Sequence, residues 1–393
     1  MKKKVLSLLM ATLMVSSLAA CGGSGSSAAS SAGSAAASSA GAAVSEAAEE
    51  AEDTAAAAAS EAEDTAAAAA SSAEEAAPAA ASGDQIKVGV SFHSLMNDVF
   101  KKTEEYLNYW KDNPIEDGYP TIDMTITVAD SDINKQISDV KDLISQNPDV
   151  ILIDPADSTA IEPAVKACHD AGIPCVTYNR PIAEEVKERP DAECLVDAYA
   201  QGYDVAKAVF DKMQADGVEQ ITVVMCNGET RDNNSILRAN GVKDAAEEYG
   251  ATIAAELPCD WDPSKVSELL PSALTGNPDT NLVYCATDGM LSGIKSTLEA
   301  IDRWAPYGEE NHMYLASCDV FEEGYNMIAD GYVDADTLFD VKGFVGQAVK
   351  DAYALAAGES VEGKTELVGA CYTQDNYQDE ELTSDLWWQF EGK

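Results

Sequence analysis

From residue 86 onward the chain alternates short apolar runs with longer stretches whose apolar residues recur every three or four positions. Ile86–Ser91 (IKVGVS) predicts a strand, and Asp98–Trp110 carries a helical pattern. Met124–Val128 is a second strand, followed by a helix over Ile133–Gln146 with Ile137, Val140, Leu143 and Ile144 on one face. A strand at Val150–Ile153, a helix at Ile161–Ala171 and a strand at Cys175–Tyr178 complete a first half. The second half repeats the theme. Helices are predicted over Gln201–Ala215, Ser235–Tyr249, Pro263–Leu274, Met290–Trp304 and Glu322–Asp330. Between them lie strands at Ile221–Met225, Thr252–Glu256, Leu282–Cys285 and Met313–Ala316. Strands this apolar, with little alternation, belong to parallel sheets covered on both faces by helices. About ten strands, broken near Asp197, predict an α/β chain of two doubly wound parallel-sheet lobes.

In open parallel sheets, ligands sit beyond the carboxyl ends of the strands. Those positions hold Ser91-Phe92-His93, Ala129-Asp130-Ser131, Asp154-Pro155-Ala156-Asp157, Asn179-Arg180, Asn227-Gly228-Glu229, Asp260-Trp261-Asp262, Thr287-Asp288 and Cys318-Asp319. One such residue is more often a helix cap or a turn former than a contact. The whole set, recurring at one topological place, describes a cleft. Carboxylates and amides offer paired bonds to adjacent hydroxyls, arginine donates to ring oxygens, and aromatic faces stack on C–H surfaces. This is the equipment for a polyhydroxylated ligand.

The first part of the chain is not fold. Residues 1–20 have a basic start (Lys2, Lys3, Lys4), an apolar run from Val5 to Leu18 and small residues before a cysteine, which is a secretory signal. Leu18-Ala19-Ala20-Cys21 resembles the bacterial lipobox, whose cysteine is lipidated and becomes the mature N-terminus. Two acyl chains at Cys21 supply stable membrane attachment. Residues 21–82 are then a lipidated linker of Ala, Ser, Gly and acids, in which EAEDTAAAAAS occurs twice in succession. No apolar stripe larger than alanine runs through it, so this part is a spacer rather than a core. The protein is expected on the outer face of the cytoplasmic membrane, or in the periplasm of a Gram-negative source.

With 69 acids against 25 bases, the formal net charge is −44, which argues against nucleic acid or anionic lipid as partner. Eight cysteines follow Cys21: Cys168, Cys175, Cys194, Cys226, Cys259, Cys285, Cys318 and Cys371. None forms a CxxC and no histidine cluster accompanies them, so no metal and no other cofactor is expected. Whether they pair as disulfides is open from sequence. There is no GxGxxG after the first strand, no Walker loop and no GxSxG elbow, so an enzyme is not expected.

Several longer motifs are more specific in combination: ILIDPADSTAIEPAVKACHDAGIPCVTYNRP, DWDPSK, CATDGMLSGI and CDVFEEGYNMIADG. In this order and spacing they resemble the type 1 periplasmic sugar-binding proteins, the ribose- and galactose-binding relatives that serve ABC importers. The resemblance covers residues 84–362. It implies two lobes joined by a three-segment hinge, 84–197 plus 341–362 for the first and 198–340 plus 363–393 for the second. The chain would cross near Asp197, return near Asp340 and cross again around Gly363. A monomer is implied, closing on a monosaccharide and delivering it to an ABC permease and ATPase.

Position by position, the resemblance assigns ligand contacts to Asn97, with Phe100 beside it as a stacking ring, to Asn179 and Arg180, to Arg238 and to Trp261. It adds Asp319 after its strand and Asp340 at the returning hinge. Thr287 stands where relatives have Asn, and Asp340 replaces an amide. Asp288 and the loop histidine His93 complete the candidate set. The stretch Met213–Gln220 has too few oxygens for the calcium loop of the galactose-binding relatives. A receptor that presents the same liganded lobes to a sensor kinase or chemoreceptor is the alternative function. A DNA-binding repressor built on this core is excluded by the export signal, the acidity and the lack of a helix-turn-helix. The pair Trp387-Trp388 is expected to pack on the second lobe.

Overall fold

Two six-stranded sheets organise residues 85–390, apart from 117 and 385, which are the residues that the computed structural model describes. The signal peptide, Cys21 and the linker predicted above lie outside them. The first sheet takes β1 (Ile86–Phe92), β2 (Ile122–Val128), β3 (Val150–Ile153), β4 (Cys175–Tyr178), β5 (Ala192–Val196) and β11 (Thr365–Leu367) in the order β11-β5-β4-β3-β1-β2. All of its pairings are parallel. The second takes β6 (Thr222–Asn227), β7 (Thr252–Pro258), β8 (Leu282–Cys285), β9 (Tyr314–Asp319), β10 (Ala335–Leu338) and β12 (Cys371–Thr373) as β12-β10-β9-β8-β6-β7. Here only the edge strand β12 runs antiparallel, against β10.

The helices that cover the first sheet are α1 (Asp98–Asp112), α2 (Ile133–Ile144) and α3 (Glu162–Asp170). On the second lie α4 (Ala198–Ala215), α5 (Asn233–Tyr249), α6 (Pro263–Gly276), α7 (Leu291–Ala300) and α8 (Glu322–Ala329). Central strands are buried on both faces, as in Val150–Ile153 and Leu282–Cys285, which is why they read as unbroken apolar runs. Asp132, Asp232 and Asp262 each accept from backbone N–H groups in the first turn of α2, α5 and α6, so the acids after those strands also start the helices.

Besides the short edge strands β11 and β12 and a one-turn helix at Glu380–Thr383, three elements had no counterpart in the pattern: β5, β10 and α9 (Val341–Ala356). The strands were hidden by buried polar residues. Glu193 in β5 accepts from the Ile182 N–H at 3.0 Å and pairs with Arg189, and β10 contains the buried Asp336 and Thr337. The predicted helix Met290–Trp304 is shorter, a 3-10 turn at Asp288–Met290 leading into α7, which stops at Ala300.

The chain passes between lobes three times. After β5 it enters α4, which packs on β9, β10 and β12 of the other sheet. After β10 it enters α9, which packs on β3, β4 and β5. The two passages are alike: Asp197 accepts from the Ala200 N–H at 2.9 Å, and Asp340 accepts from the Gly343 N–H at 2.8 Å. The third passage differs from the expected one around Gly363. Because β11 adds to β5, the chain crosses at Val368–Ala370. Gly369 is pressed against the hinge there, since a Cβ on it would lie 1.9 Å from the Leu338 carbonyl oxygen. The polar, partly exposed Thr365–Leu367 gave no strand signal because an edge strand needs little apolar content.

The end of the chain touches both lobes. Trp387 donates to the Asp319 carbonyl at 3.2 Å and meets Phe321 edge-on, and Trp388 meets Tyr325, as expected for the second lobe. Two residues later Phe390 stacks on Tyr106 of α1 in the first lobe, with ring centroids 4.1 Å apart. No helix among the described residues is long and apolar enough to cross a membrane.

Candidate functional site

The carboxyl ends of both sheets face one cavity of about 470 Å³, a size that holds a small ligand. Of the residues predicted to contact a ligand, His93, Asn97, Phe100, Asn179, Arg180, Arg238, Trp261, Thr287, Asp288 and Asp319 all line it. Asp340 is not among the lining residues; its carboxylate caps α9 instead. Ser131 and Glu229, read among the strand-end residues, line it too, whereas sequence reasoning missed Arg231, Asp232, Asn234, Phe321, Glu323 and Phe339. Asp232 and Asn234 had a usable signal, since they open the helix after β6. Phe321 and Phe339 had none, because an aromatic after a strand reads as core.

Backbone strain concentrates here. Ser131, Asn179, Trp261 and Asp319 have φ of 63°, 68°, 62° and 104°. Asn and Asp tolerate the left-handed region; a tryptophan there costs on the order of 1–3 kcal/mol and persists only where its surroundings hold it. Gly228 is what makes the Trp261 position possible, because a Cβ on Gly228 would lie 2.2 Å from the indole ring. Gly228→Ala is therefore expected to push the ring out of its place and cost about 1–3 kcal/mol of stability by overpacking. Intrinsic tryptophan emission and its accessibility to a collisional quencher check this; an unchanged spectrum rejects the placement.

The second-lobe wall is built on Arg238. Its Nη1 donates to the Ala286 carbonyl at 2.6 Å, its Nη2 to Asp319 Oδ1 at 2.6 Å, and Nε and Nη2 to Gln201 Oε1 at 3.1 and 2.9 Å. Burial alone would weaken its hold on the proton, but the carboxylate of Asp319 more than compensates and raises its pKa. Thr287, which replaces the expected amide, donates from its hydroxyl to Asp319 Oδ2 at 2.5 Å. That hydroxyl pins the acid.

In the first-lobe wall, buried Asp154 accepts from Asn179 Nδ2 at 2.7 Å and pairs with His93 Nδ1 at 2.6 Å. His93 in turn packs edge-on against Phe100, centroids 4.3 Å apart. The Asn97 oxygen accepts from the Val99 N–H and caps α1.

Three contacts join the lobes across the cavity. Arg180 Nη2 and Asp232 Oδ2 form an ion pair at 2.7 Å, with side chains only 5% exposed on each side. Asn234 Nδ2 donates to the Asn179 carbonyl at 3.1 Å, and the Asn233 N–H to Ser158 Oγ at 3.2 Å. Arg180 is further fixed by donating from Nη1 to the Ala156 carbonyl at 2.7 Å. Its Nε, and the Oδ1 of Asn234, are buried without a protein partner.

Asp288 sits at the back of the cavity. Its carboxyl accepts from the Phe321 N–H at 2.7 Å and from the Ser317 hydroxyl, and it contacts Asp336. Burial pushes it up to about 7, and the acid beside it, Asp336, is pushed up strongly by burial and by Asp288. The folded chain thus holds a proton that the unfolded chain releases above the ordinary carboxylate range, and stability falls as pH rises from about 4 towards 7. Melting temperature measured across that interval is expected to decline by several degrees, and Asp336→Asn to flatten the decline. An equally steep profile in the variant removes the shared proton as its cause.

Residues 88–360 match the family model of the periplasmic binding protein domain. The ribose import binding protein of Bacillus subtilis is 33% identical over 180 residues, 45% of this chain and 54% of that protein. The match thus spans about half the length of that relative. The ribose import binding protein of Escherichia coli is 25% identical over 243 residues, 61% of this chain and 77% of that protein. A solved ABC transporter solute-binding protein of Bacillus halodurans, with bound myo-inositol, shares the fold at a TM-score of 0.66 and 23% identity, covering 77% of this chain and 99% of that one. Two parallel-sheet lobes, polar residues at the strand ends around one cavity, and a family match over most of the folded part lead to one assignment: the chain belongs to the type 1 periplasmic sugar-binding protein family, a family of binding proteins rather than enzymes.

Proposed function

We propose that this chain is an extracytoplasmic solute-binding lipoprotein, anchored through Cys21, that captures a neutral monosaccharide between its lobes and delivers it to an ABC permease and its ATPase. The observation that carries the ligand class is the charge pairing of the cavity. Each arginine in its wall already has a carboxylate: Arg180 with Asp232, Arg238 with Asp319, and Arg231 with Glu229 at 2.7 Å. Among the described residues that line the cavity, no arginine is left over to neutralise a phosphate or carboxylate, whose burial without a partner costs several kcal/mol. A hydroxyl-rich neutral ring suits the site, because hydroxyls donate and accept at once. It would accept from Arg180 Nε and donate to Asn234 Oδ1, two buried atoms of cavity-lining residues that lack protein partners. Trp261 and Phe100 offer apolar faces to the ring's C–H surfaces.

A thermal-shift screen of pentoses, hexoses, polyols, nucleosides and sugar phosphates tests this, since a ligand of the native state raises the melting temperature. Neutral sugars or polyols are expected to stabilise and their phosphates not to. Stabilisation by anionic compounds alone rejects the ligand class. Delivery is tested by adding the liganded chain to a permease and ATPase reconstituted in vesicles, where ATP hydrolysis should rise. Stimulation of a sensor kinase, with none of the ATPase, would select the receptor reading instead.

A further inference from the structure

We propose that His169, Cys175 and Asp191 form a binding site for a borderline-soft divalent metal of the zinc class, at the end of the first lobe opposite the cleft. The site goes beyond the sugar-binding reading and is independent of it. Cys175 opens β4, whose other end leads to Asn179 and Arg180, so the length of the strand separates the two places. Spacing gives no sign of such a site, since the fold gathers it from the last turn of α3, the start of β4 and the loop before β5.

The ligand atoms are set for one ion. His169 Nε2 lies 3.3 Å from Asp191 Oδ2 and 3.9 Å from Cys175 Sγ. All three groups fall within 4.8 Å of one another. Around a tetrahedral ion with bonds of about 2.0–2.1 Å to nitrogen or oxygen and about 2.3 Å to sulfur, donor atoms stand roughly 3.3–3.6 Å apart. The histidine–aspartate separation falls in that range and is longer than the roughly 2.7–2.9 Å of a direct charged hydrogen bond. The histidine–cysteine separation of 3.9 Å is slightly longer than that range, so the thiol has to close in on the ion by a few tenths of an ångström.

The surroundings orient each ligand. Glu188 Oε1 sits 2.8 Å from His169 Nδ1, the carboxylate–histidine arrangement that leaves Nε2 to point at a metal. The Cys175 N–H donates to Asp191 Oδ2 at 2.8 Å and fixes that carboxylate. Cys175 is fully buried, with the Cys168 thiol hydrogen-bonding it from the core side. The His169 and Asp191 side chains are 30% and 34% exposed, so the fourth position opens to solvent. Thiolate, imidazole and carboxylate together select zinc-like ions over magnesium or calcium, which take oxygen ligands.

Cobalt serves as the optical probe. The full chain, reduced and stripped with chelator, is titrated with Co2+ and then with Zn2+. One equivalent of cobalt should give a thiolate charge-transfer band that zinc displaces, and zinc should raise the melting temperature. Cys175→Ser should abolish the band, and Asp191→Asn should weaken affinity at least about ten-fold. Glu188→Gln should lower it by about 10–100-fold through the histidine. Cys226→Ser, in the separate thiol pair with Cys259, should change nothing. If Cys175→Ser does not fold, Asp191→Asn and Glu188→Gln decide, and unchanged affinity in both overturns the site. Absence of a charge-transfer band, a band lost in Cys226→Ser, or a Cys168–Cys175 disulfide in the chain as isolated overturns it as well. Sugar-induced thermal shifts should be unaffected by Asp191→Asn, which separates failure of this site from failure of the cleft.

Discussion

Arg238→Met should destabilise the second lobe by about 3–5 kcal/mol and abolish any sugar-induced thermal shift. The magnitude follows from what the guanidinium leaves behind. Asp319 is 5% exposed, and its remaining side-chain partner is the Thr287 hydroxyl at 2.5 Å. The Gln201 oxygen and the Ala286 carbonyl lose their donors at the same time. A buried charge without its counter-ion is the costly case, whereas replacing both members by apolar groups is often nearly neutral. The double variant Arg238→Met/Asp319→Leu should therefore regain much of the lost stability while remaining unable to bind sugar. Urea unfolding of the two variants reads the first part, and the thermal-shift screen the second. A single variant as stable as the parent chain would mean that Arg238 is not the keystone of that wall.

Most of this architecture is legible in the sequence because the two signals involved are strong and local. Val150–Ile153 and Leu282–Cys285 are apolar without interruption because helices cover both faces of their sheets. Asn179, Trp261 and Asp319 are conspicuous because each follows such a run at the end where ligands bind. What escaped notice depends on partners far away in the chain. Glu193 and Asp336 look incompatible with buried strands until the N–H groups of Ile182 and Val320 and the guanidinium of Arg189 are seen to bind them. Asp340 was expected at the ligand because it sits at a hinge, but a helix starts there, and its carboxylate caps it. His169, Cys175 and Asp191 come together only when β4 and the loop before β5 are laid side by side, which no spacing rule anticipates. The cavity's charge pairing is likewise invisible one residue at a time, since Asp232 is 52 positions from Arg180 by number yet forms its ion pair.

Arg180→Ala should weaken sugar binding by about 2–4 kcal/mol while leaving the unfolding midpoint of the ligand-free chain almost unchanged. The contrast with Arg238 is topological. Every partner of Arg238 belongs to the second lobe, so its loss damages a core. Arg180 belongs to the first lobe and Asp232 to the second, so their ion pair is expected to break when the lobes open. Without the arginine, Asp232 stays hydrated in an open cleft, where it keeps capping α5 through the Asn234 N–H. The cost appears only when a ligand asks for closure, because the acid must then be buried unpaired. Losing Arg180 Nε, which has no protein partner, removes a ligand bond at the same step. Asp232→Ala alone should also weaken binding, and adding it to Arg180→Ala should cost less than its effect in the parent chain, since the acid to be buried is gone. Calorimetry on the four proteins gives the coupling directly. Strict additivity would show that the pair does not hold the lobes together, and an unfolding midpoint that drops as far as that of Arg238→Met would show that Arg180 supports the fold rather than its closure.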